Sequence, residues 1–391
     1  MFRTTALALA FLAMPASAFA QACGGDFTAF KAGLKEEAVA RGIAPASAER
    51  FLASVSRDQS VLAADRRQGI FQAPFIDFSR RLISQNRLDR GRQMGERYDA
   101  TFDRIEERFG VPRGVLLAFW AFETDFGAVQ GDFNTADALA TLAHDCRRPE
   151  LFRPQVFAAM ELAERGDFDP ATTTGAWAGE IGMVQMLPED ILTNGIDGDG
   201  DGKVTLKTSE EDALMSGAAM LADLGWRAGE PWLEEVSLPA EFDWYQTGLE
   251  TRKPAGDWAA MGVSARDGEI DRPDLPASIL LPQGKDGPAF LAYPNFPVLF
   301  EWNKSFTYVL TAAYFATRLE GAGIYDAGNP APGLSGEEMV RLQEKLQARG
   351  YDVGGADGIL GAGTRAAVRD VQRELGLPAD AWPTRELLNR L

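Results

Sequence analysis

Residues 24 to 110 place apolar and charged side chains at helical spacing, as in "FKAGLKEEAVARGI" and "YDATFDRIEERFG", and contain few alternating runs. That period commits the first part of the chain to helices packed through apolar stripes, because a strand would throw half of those charges into a core. The same period returns over 156–166, 210–226 and 303–319. Between the second and third of these, residues 228 to 300 are rich in Pro, Gly, Trp and Asp, with short apolar runs such as "SILLP" and "AFLAY", which suits short strands or irregular structure. Residues 321–334, "GAGIYDAGNPAPGL", read as a linker. Beyond it, residues 335–391 carry two amphipathic helices and a short third, enough for a small three-helix unit.

One stretch breaks the pattern of buried apolar and exposed charged residues. In "LLAFWAFETDFGAVQG", Leu116 to Gly131, Glu123 is set among Trp120, Phe122 and Phe126. Pro112 stands where a first helical residue is tolerated and Gly127 where a C-terminal cap would fall, so Glu123 rides near the end of a helix of about fifteen residues. A carboxyl in such surroundings has its pKa lifted by desolvation and becomes able to protonate a leaving oxygen at neutral pH. The bland reading is a helix-end Glu that caps or pairs with an Arg. Asp125 points to the other side of the helix, so the segment presents one carboxylate, not a pair.

Composition narrows the chemistry. His144 is the only histidine among 391 residues, so multi-imidazole zinc sites are excluded and any reaction falls to carboxylates. A formal charge of −18 argues against binding nucleic acid or an anionic membrane surface. The basic start, apolar core and small residues of positions 1–20 read as a secretory signal cleaved after Ala18 or Ala20, and no later segment is apolar for long enough to span a bilayer. A bacterial periplasm is the expected compartment. There the two cysteines, Cys23 and Cys146, are expected to pair, with two unrelated thiols as the alternative. Gln21 sits where a lipobox wants a small residue, which argues against lipidation at Cys23.

"DGDGDGK" at 197–203 matches the start of an EF-hand loop, with oxygens from Asp197, Asp199 and Asp201, a glycine at 202 and a carbonyl from Lys203. Thr208 stands where the closing Glu belongs, so the shell would be completed by Glu210, Glu211 or Asp212. Calcium or sodium would be structural there, and a solvated acidic turn is the alternative. Trp177, Trp226, Trp232, Trp244 and Trp302 lie in or beside loops, where indole faces suit sugar rings, although core packing is the commoner role for any one.

Taken in order, the motifs "GVPRGVLLAFWAFETDFGAVQGDFNTADALATLAHDCRR", "GAWAGEIGMVQMLP", "DGDGDG" followed by "DAL", and "LLPQGKDGPAFLAYPNFPVLFEWNKSFTYVL" resemble the lytic murein transglycosylases of the B type. The tail "LQEKLQARGYDVGGADGILGAGTRAAVRDVQRELGLPAD" resembles the small peptidoglycan-binding domain. The resemblance implies a mainly α, α+β lysozyme-like catalytic domain over 21–320 and a peptidoglycan-binding domain over 335–391. It puts the family's acid on Glu123, polar substrate contacts on Gln185 and Asn303 with Trp302 beside them, and the cation site on Asp197, Asp199, Asp201, the Lys203 carbonyl and Asp212. The implied reaction cleaves the MurNAc–GlcNAc bond of peptidoglycan strands without water or catalytic cofactor, closing a 1,6-anhydro ring. Proteins of cell-wall synthesis are the implied partners. This chain departs from the family's usual "GSWAGAMG" at Ala176 and Glu180, from expected tyrosines at Met220 and Trp302, from a small polar residue at Glu189, and from a glycine at Ala381. The departures at Ala176, Met220 and Trp302 motivate a catalytically weak glycan-binding scaffold as a rival reading, and a muramidase that uses water in place of the C6 hydroxyl is a third.

Overall fold

The computed structural model describes residues 23–67 and 73–391, so the expected signal segment lies outside the described residues. The helical period of the first part becomes α1 (Phe27–Ala40), α2 (Pro45–Ser54), α3 (Gln59–Asp65), α4 (Phe75–Leu82), α5 (Gln85–Arg97) and α6 (Asp99–Phe109). There follow α7 (Arg113–Thr124), β1 (Phe133–Asn134), α8 (Thr135–His144), α9 (Pro149–Arg165), β2 (Thr174–Gly175), α10 (Pro188–Asn194) and α11 (Glu210–Asp223). Asp26, Ser84, Asn134 and Ser209 each cap a following helix through a side-chain oxygen, which answers the unpaired N–H groups of the first turn.

The Pro- and Gly-rich region folds as β3 (Leu233–Ser237), β4 (Lys253–Pro254), α12 (Ala255–Ala260), β5 (Ser264–Ala265), β6 (Pro276–Leu280) and β7 (Ala289–Ala292). These strands make one antiparallel sheet in the order β4-β6-β7-β3-β5, with Ile279 opposite Leu291 and Glu235 opposite Phe290. Alternation along the strands buries both faces. Leu280, Phe290 and Ala292 join the large helical core, while Ile279 and Leu291 pack with Trp258 in a smaller core beneath α12.

Helix α7 runs through the middle of the large core, buried continuously from Val115 to Ala121. Its partner is α14 (Phe306–Leu319), which follows α13 (Asn295–Trp302). The two approach closely at Gly114, where a Cβ would lie 2.8 Å from the Ala316 carbonyl oxygen, and the Gly114 N–H donates to Glu320 Oε1 at 2.7 Å. The helix expected over about 303–319 forms as α14 and begins three residues later, at Phe306. Asn303 ends α13 with extended backbone and its Oδ1 accepts the Ser305 N–H, which turns the chain before α14 begins. Helix α7 is also shorter than its sequence suggests. Asp125 and Phe126 both take left-handed conformations, φ 52° and 58°, so the helix stops before Gly127, and Pro112 precedes its first turn.

Cys23 and Cys146 form a disulfide with Cα atoms 5.1 Å apart, tying the chain ahead of α1 to the turn after α8. No helix of the described residues is long and apolar enough to cross a membrane. Helices α15 (Gly336–Ala348), α16 (Ala362–Glu374) and α17 (Arg385–Arg390) enclose a separate core of Leu342, Leu346, Val368, Val371 and Leu387. Ala381, in place of the expected glycine, keeps the left-handed backbone of that position, φ 59°.

Candidate active site

Glu123 lies in the last turn of α7, and two elements remote in sequence converge on it. The Tyr308 hydroxyl, in the first turn of α14, donates to Glu123 Oε1 at 2.5 Å. The Trp302 side chain also donates to the carboxyl, held in place by stacking on Phe119 at 4.3 Å between ring centroids. Phe122 stacks on Phe315 at 5.2 Å, so the neighbouring aromatic residue anchors the helix end to α14. Glu123 keeps a partly open edge, yet its carboxyl is densely surrounded. Burial pushes its pKa up to about 7; the Tyr308 and Trp302 hydrogen bonds oppose that rise and the Glu180 carboxyl adds to it. Burial and the facing Glu123 drive the Tyr308 phenol well above its usual pKa, which fixes it as a hydrogen-bond donor. An acid poised near neutrality can give up a proton and recover it, the property a general acid and base needs.

Asp125 is drawn away from this site. Arg90 Nη1 and Arg87 Nε donate to its two oxygens at 2.7 and 3.2 Å and, against the effect of burial, hold its carboxyl below the usual range. Thr124 completes the turn, donating from Oγ1 to the Met183 carbonyl at 2.6 Å and accepting the Gly127 N–H. Those bonds fasten the 176–187 loop to the end of α7. Gln185 in that loop has φ 54°, and its amide donates to the Gly182 carbonyl at 2.7 Å. A non-glycine residue held in this conformation is the kind of local strain that functional sites retain. Asn303 sits next to Trp302 in the α13–α14 turn, its Oδ1 engaged with the Ser305 N–H.

Sequence reading missed two participants. Tyr308 belongs to the apolar run "FTYVLTAAYF", where a tyrosine is indistinguishable from core packing. Glu180 was visible only as a departure from a motif. Its carboxyl, outside the 116–131 segment that presents a single carboxylate, acts on Glu123 and adds to the rise of its pKa. Of the tryptophans, Trp226 and Trp232 are core residues, donating to the carbonyls of Gly110 and Ala313. Glu189 is likewise structural, exchanging hydrogen bonds with the Gln155 amide to lock α10 on α9.

In the acidic loop, carboxyl oxygens of Asp197, Asp199 and Asp212 come within 4.8 Å of one another. Asp212 is fully buried at the start of α11, yet it is met by the N–H groups of Gly198 and Thr205 rather than by a basic side chain. Asp201 instead accepts the Lys203 N–H at 2.8 Å and stays outside that trio. An all-oxygen, carboxylate-rich set of this kind fits a hard cation such as calcium.

Comparison with known proteins agrees with this architecture. Residues 26–317 match the family described as "Transglycosylase SLT domain", and residues 335–391 match "Putative peptidoglycan binding domain". The structure superposes on SltB3 from Pseudomonas aeruginosa, solved with NAG-NAM-pentapeptide, with a TM-score of 0.86 and 36% identity, covering 94% of this chain and 100% of that one. Slt35 of Escherichia coli, solved in complex with calcium, matches in fold with a TM-score of 0.65 and 23% identity over 77% of this chain and 96% of that one. Membrane-bound lytic murein transglycosylase B of Escherichia coli (strain K12) is 24% identical over 237 residues, which are 60% of this chain and 64% of that protein. The fold is thus lysozyme-like, a mainly helical domain with one acid poised at its centre and a helical appendage. The chain belongs to the transglycosylase SLT family.

Proposed function

We propose that this protein is a periplasmic lytic transglycosylase that cleaves the bond between N-acetylmuramic acid and N-acetylglucosamine in peptidoglycan, with Glu123 as the sole proton carrier. The carrying observation is the Glu123 carboxyl, desolvated to a pKa of about 7 and hydrogen-bonded by Tyr308. Protonated Glu123 gives its proton to the glycosidic oxygen as the C1–O bond breaks, and the muramyl 2-acetamido group stabilises the positive C1. The C6 hydroxyl oxygen then bonds to C1 and its proton returns to the Glu123 carboxylate, so no water is consumed. SltB3, more than a third identical, was also solved with NAG-anhNAM-pentapeptide, which supports an anhydro product here. Gln185, Asn303 and Trp302 are the polar and stacking groups assigned to the sugar, and residues 335–391 hold the enzyme on the wall.

The Asp197, Asp199 and Asp212 carboxylates are proposed to hold a structural calcium or sodium ion, with no part in proton transfer. Digestion of purified sacculi tests the enzyme reading. Wild type is expected to release muropeptides whose reducing end is lighter by one water than a hydrolase product, and Glu123→Gln to release none. Undiminished release by the variant would remove Glu123 from the mechanism, while products carrying the extra water would make the protein a muramidase.

A further inference from the structure

Residues 204–208, between the acidic loop and α11, have no task in the reaction as described, yet two other loops are fastened to their carbonyls. The Leu206 carbonyl accepts the Met183 N–H at 2.9 Å, and Gly182 packs so tightly there that a Cβ would lie 2.5 Å from that oxygen. Met183 in turn offers its own carbonyl to Thr124, the residue after Glu123, at 2.6 Å. The Lys207 carbonyl accepts from Gln130 Nε2 at 3.0 Å, and the same nitrogen donates to the Gly127 carbonyl at 3.2 Å. One side-chain amide therefore clamps the turn after α7 to the exit of the acidic loop. Its orientation is set by what it meets, because only the N–H end satisfies two carbonyls. Gln130 Oε1 is sealed from solvent without a hydrogen-bond partner, a cost that an apolar side chain of the same bulk would avoid.

The acids fix the other end of the segment. Asp212 accepts the Thr205 N–H at 2.7 Å and the Gly198 N–H at 2.8 Å, so one buried carboxylate holds both the entry and the exit of the acidic loop. Lys207 Nζ steadies the segment sideways, donating to the Thr174 carbonyl at 2.6 Å and to Thr174 Oγ1 at 2.8 Å. The Gln130 carbonyl accepts the Gln185 amide at 3.4 Å. Gln130 thus stands between Gln185, assigned to the sugar, and the carboxylates assigned to a cation.

We propose that Gln130 is a positioning residue through which glycan binding and cation binding strengthen each other. The proposal rests on the assignments of Gln185 to the glycan and of Asp197, Asp199 and Asp212 to a cation. Those three carboxylates, with oxygens within 4.8 Å of one another, repel unless a cation draws them together. Drawn together, they fix Asp212 and, through the Thr205 N–H, the direction of the Leu206 and Lys207 carbonyls. Met183 and Gln130 then find their acceptors already placed, so the Gln185 loop and the turn after Glu123 are ordered before the glycan arrives. A glycan that orders Gln185 works along the same bonds in reverse, and each ligand raises the affinity of the other by the same factor.

The test is calorimetric titration of calcium into the full chain carrying Glu123→Gln, which leaves substrate uncut, with and without saturating NAG-NAM-pentapeptide. The calcium dissociation constant is expected to fall by about fivefold or more when the fragment is present, and the fragment's constant to fall by the same factor when calcium is. With Gln130→Met or Gln130→Ala added, calcium alone is expected to bind as in the parent, and the fragment to leave that constant unmoved. Met keeps the bulk and Ala does not, so agreement between them ties the coupling to the lost donors rather than to packing. A calcium constant indifferent to the fragment in the parent, or coupling that survives Gln130→Met, would overturn this inference and leave the enzyme reading in place. No calcium binding at all would overturn it together with the cation assignment, whereas release of muropeptides from sacculi by Glu123→Gln would sink the functional reading instead.

Discussion

At the scale of single residues, the site is a balance between a lifted acid and the donors that restrain it. Tyr308 is the strongest restraint, a phenol that donates to the Glu123 carboxyl at 2.5 Å and favours its ionised form. Replacing it by Phe keeps the ring that packs near Phe122 and removes only the donor. The ionised carboxylate is then less stable, so the Glu123 pKa rises above about 7 and the alkaline limb of activity moves to higher pH. A hydrogen bond to a charged group is worth about 1.5–3 kcal/mol, so a rate loss of about ten- to a hundredfold is expected where the carboxylate must form. The pH profile of Tyr308→Phe checks this, and a limb that moves toward acid would show the phenol to be acting otherwise. Glu123 and Tyr308 illustrate what sequence can reveal. Glu123 was legible because a carboxyl in an apolar helix is out of place, whereas Tyr308 is typical of a buried helix and acquires meaning only through the α7–α14 packing. Glu180 was legible as a departure from a motif and no more, since the chain between it and Glu123 carries no trace of the Thr124–Met183 bond.

At the scale of elements, helical period predicted most of the helices and misjudged their ends. The end of α7 is set by Arg87 and Arg90 gripping Asp125 and by Thr124 reaching Met183, tertiary contacts that override the local cap signal at Gly127. The acidic loop was legible from its spacing alone, because alternate Asp and Gly residues in a tight turn point oxygens at one centre. What the spacing could not choose was the closing acid, and the fully buried Asp212 at the first turn of α11 is the one whose oxygens meet those of Asp197 and Asp199. That arrangement couples the loop to α11 and makes a cation stabilising in proportion to its occupancy. With calcium at a hundredfold excess over its dissociation constant, linkage gives about 2.7 kcal/mol, a rise of a few degrees in melting temperature. Asp199 is exposed and is the variant to use, since Asp212 also supports the backbone of Gly198 and Thr205. Calorimetry should show the calcium-dependent rise in wild type and its loss in Asp199→Ala; a melting temperature indifferent to calcium and chelator leaves only an acidic turn.

At the scale of the whole molecule, the Gly- and Pro-rich stretch 321–334 does not hang as a free tether. It forms neither helix nor strand, but Tyr325 is buried beside Phe75 and Tyr314, Asn329 N–H bonds to the Asp286 carbonyl, and Trp382 of the C-terminal unit donates to the Ala331 carbonyl at 2.8 Å. Composition marks such a segment as irregular and says nothing of what pins it. The C-terminal unit is held a second time through α16. Arg365 stacks on Phe306 at 4.6 Å and donates to the Pro282 carbonyl at 2.9 Å, Arg369 donates to the Thr247 carbonyl, and Asp380 accepts the Lys285 N–H. Burial lowers the pKa of Arg365 to about 10, so the guanidinium stays charged at neutral pH and the seam carries cations on carbonyl oxygens. Phe306 begins α14, two residues before Tyr308, so the docked unit braces the helix that delivers the phenol to Glu123. In the double variant Arg365→Ala, Arg369→Ala the two cores remain intact while this seam opens. Small-angle scattering is expected to show a larger radius of gyration, co-sedimentation with sacculi to be retained, and turnover of sacculi to fall severalfold because the bracing of α14 is lost. An unchanged radius would mean that the pinned 321–334 segment alone fixes the arrangement. A larger radius with undiminished turnover would mean that the reaction site is independent of its wall-binding appendage.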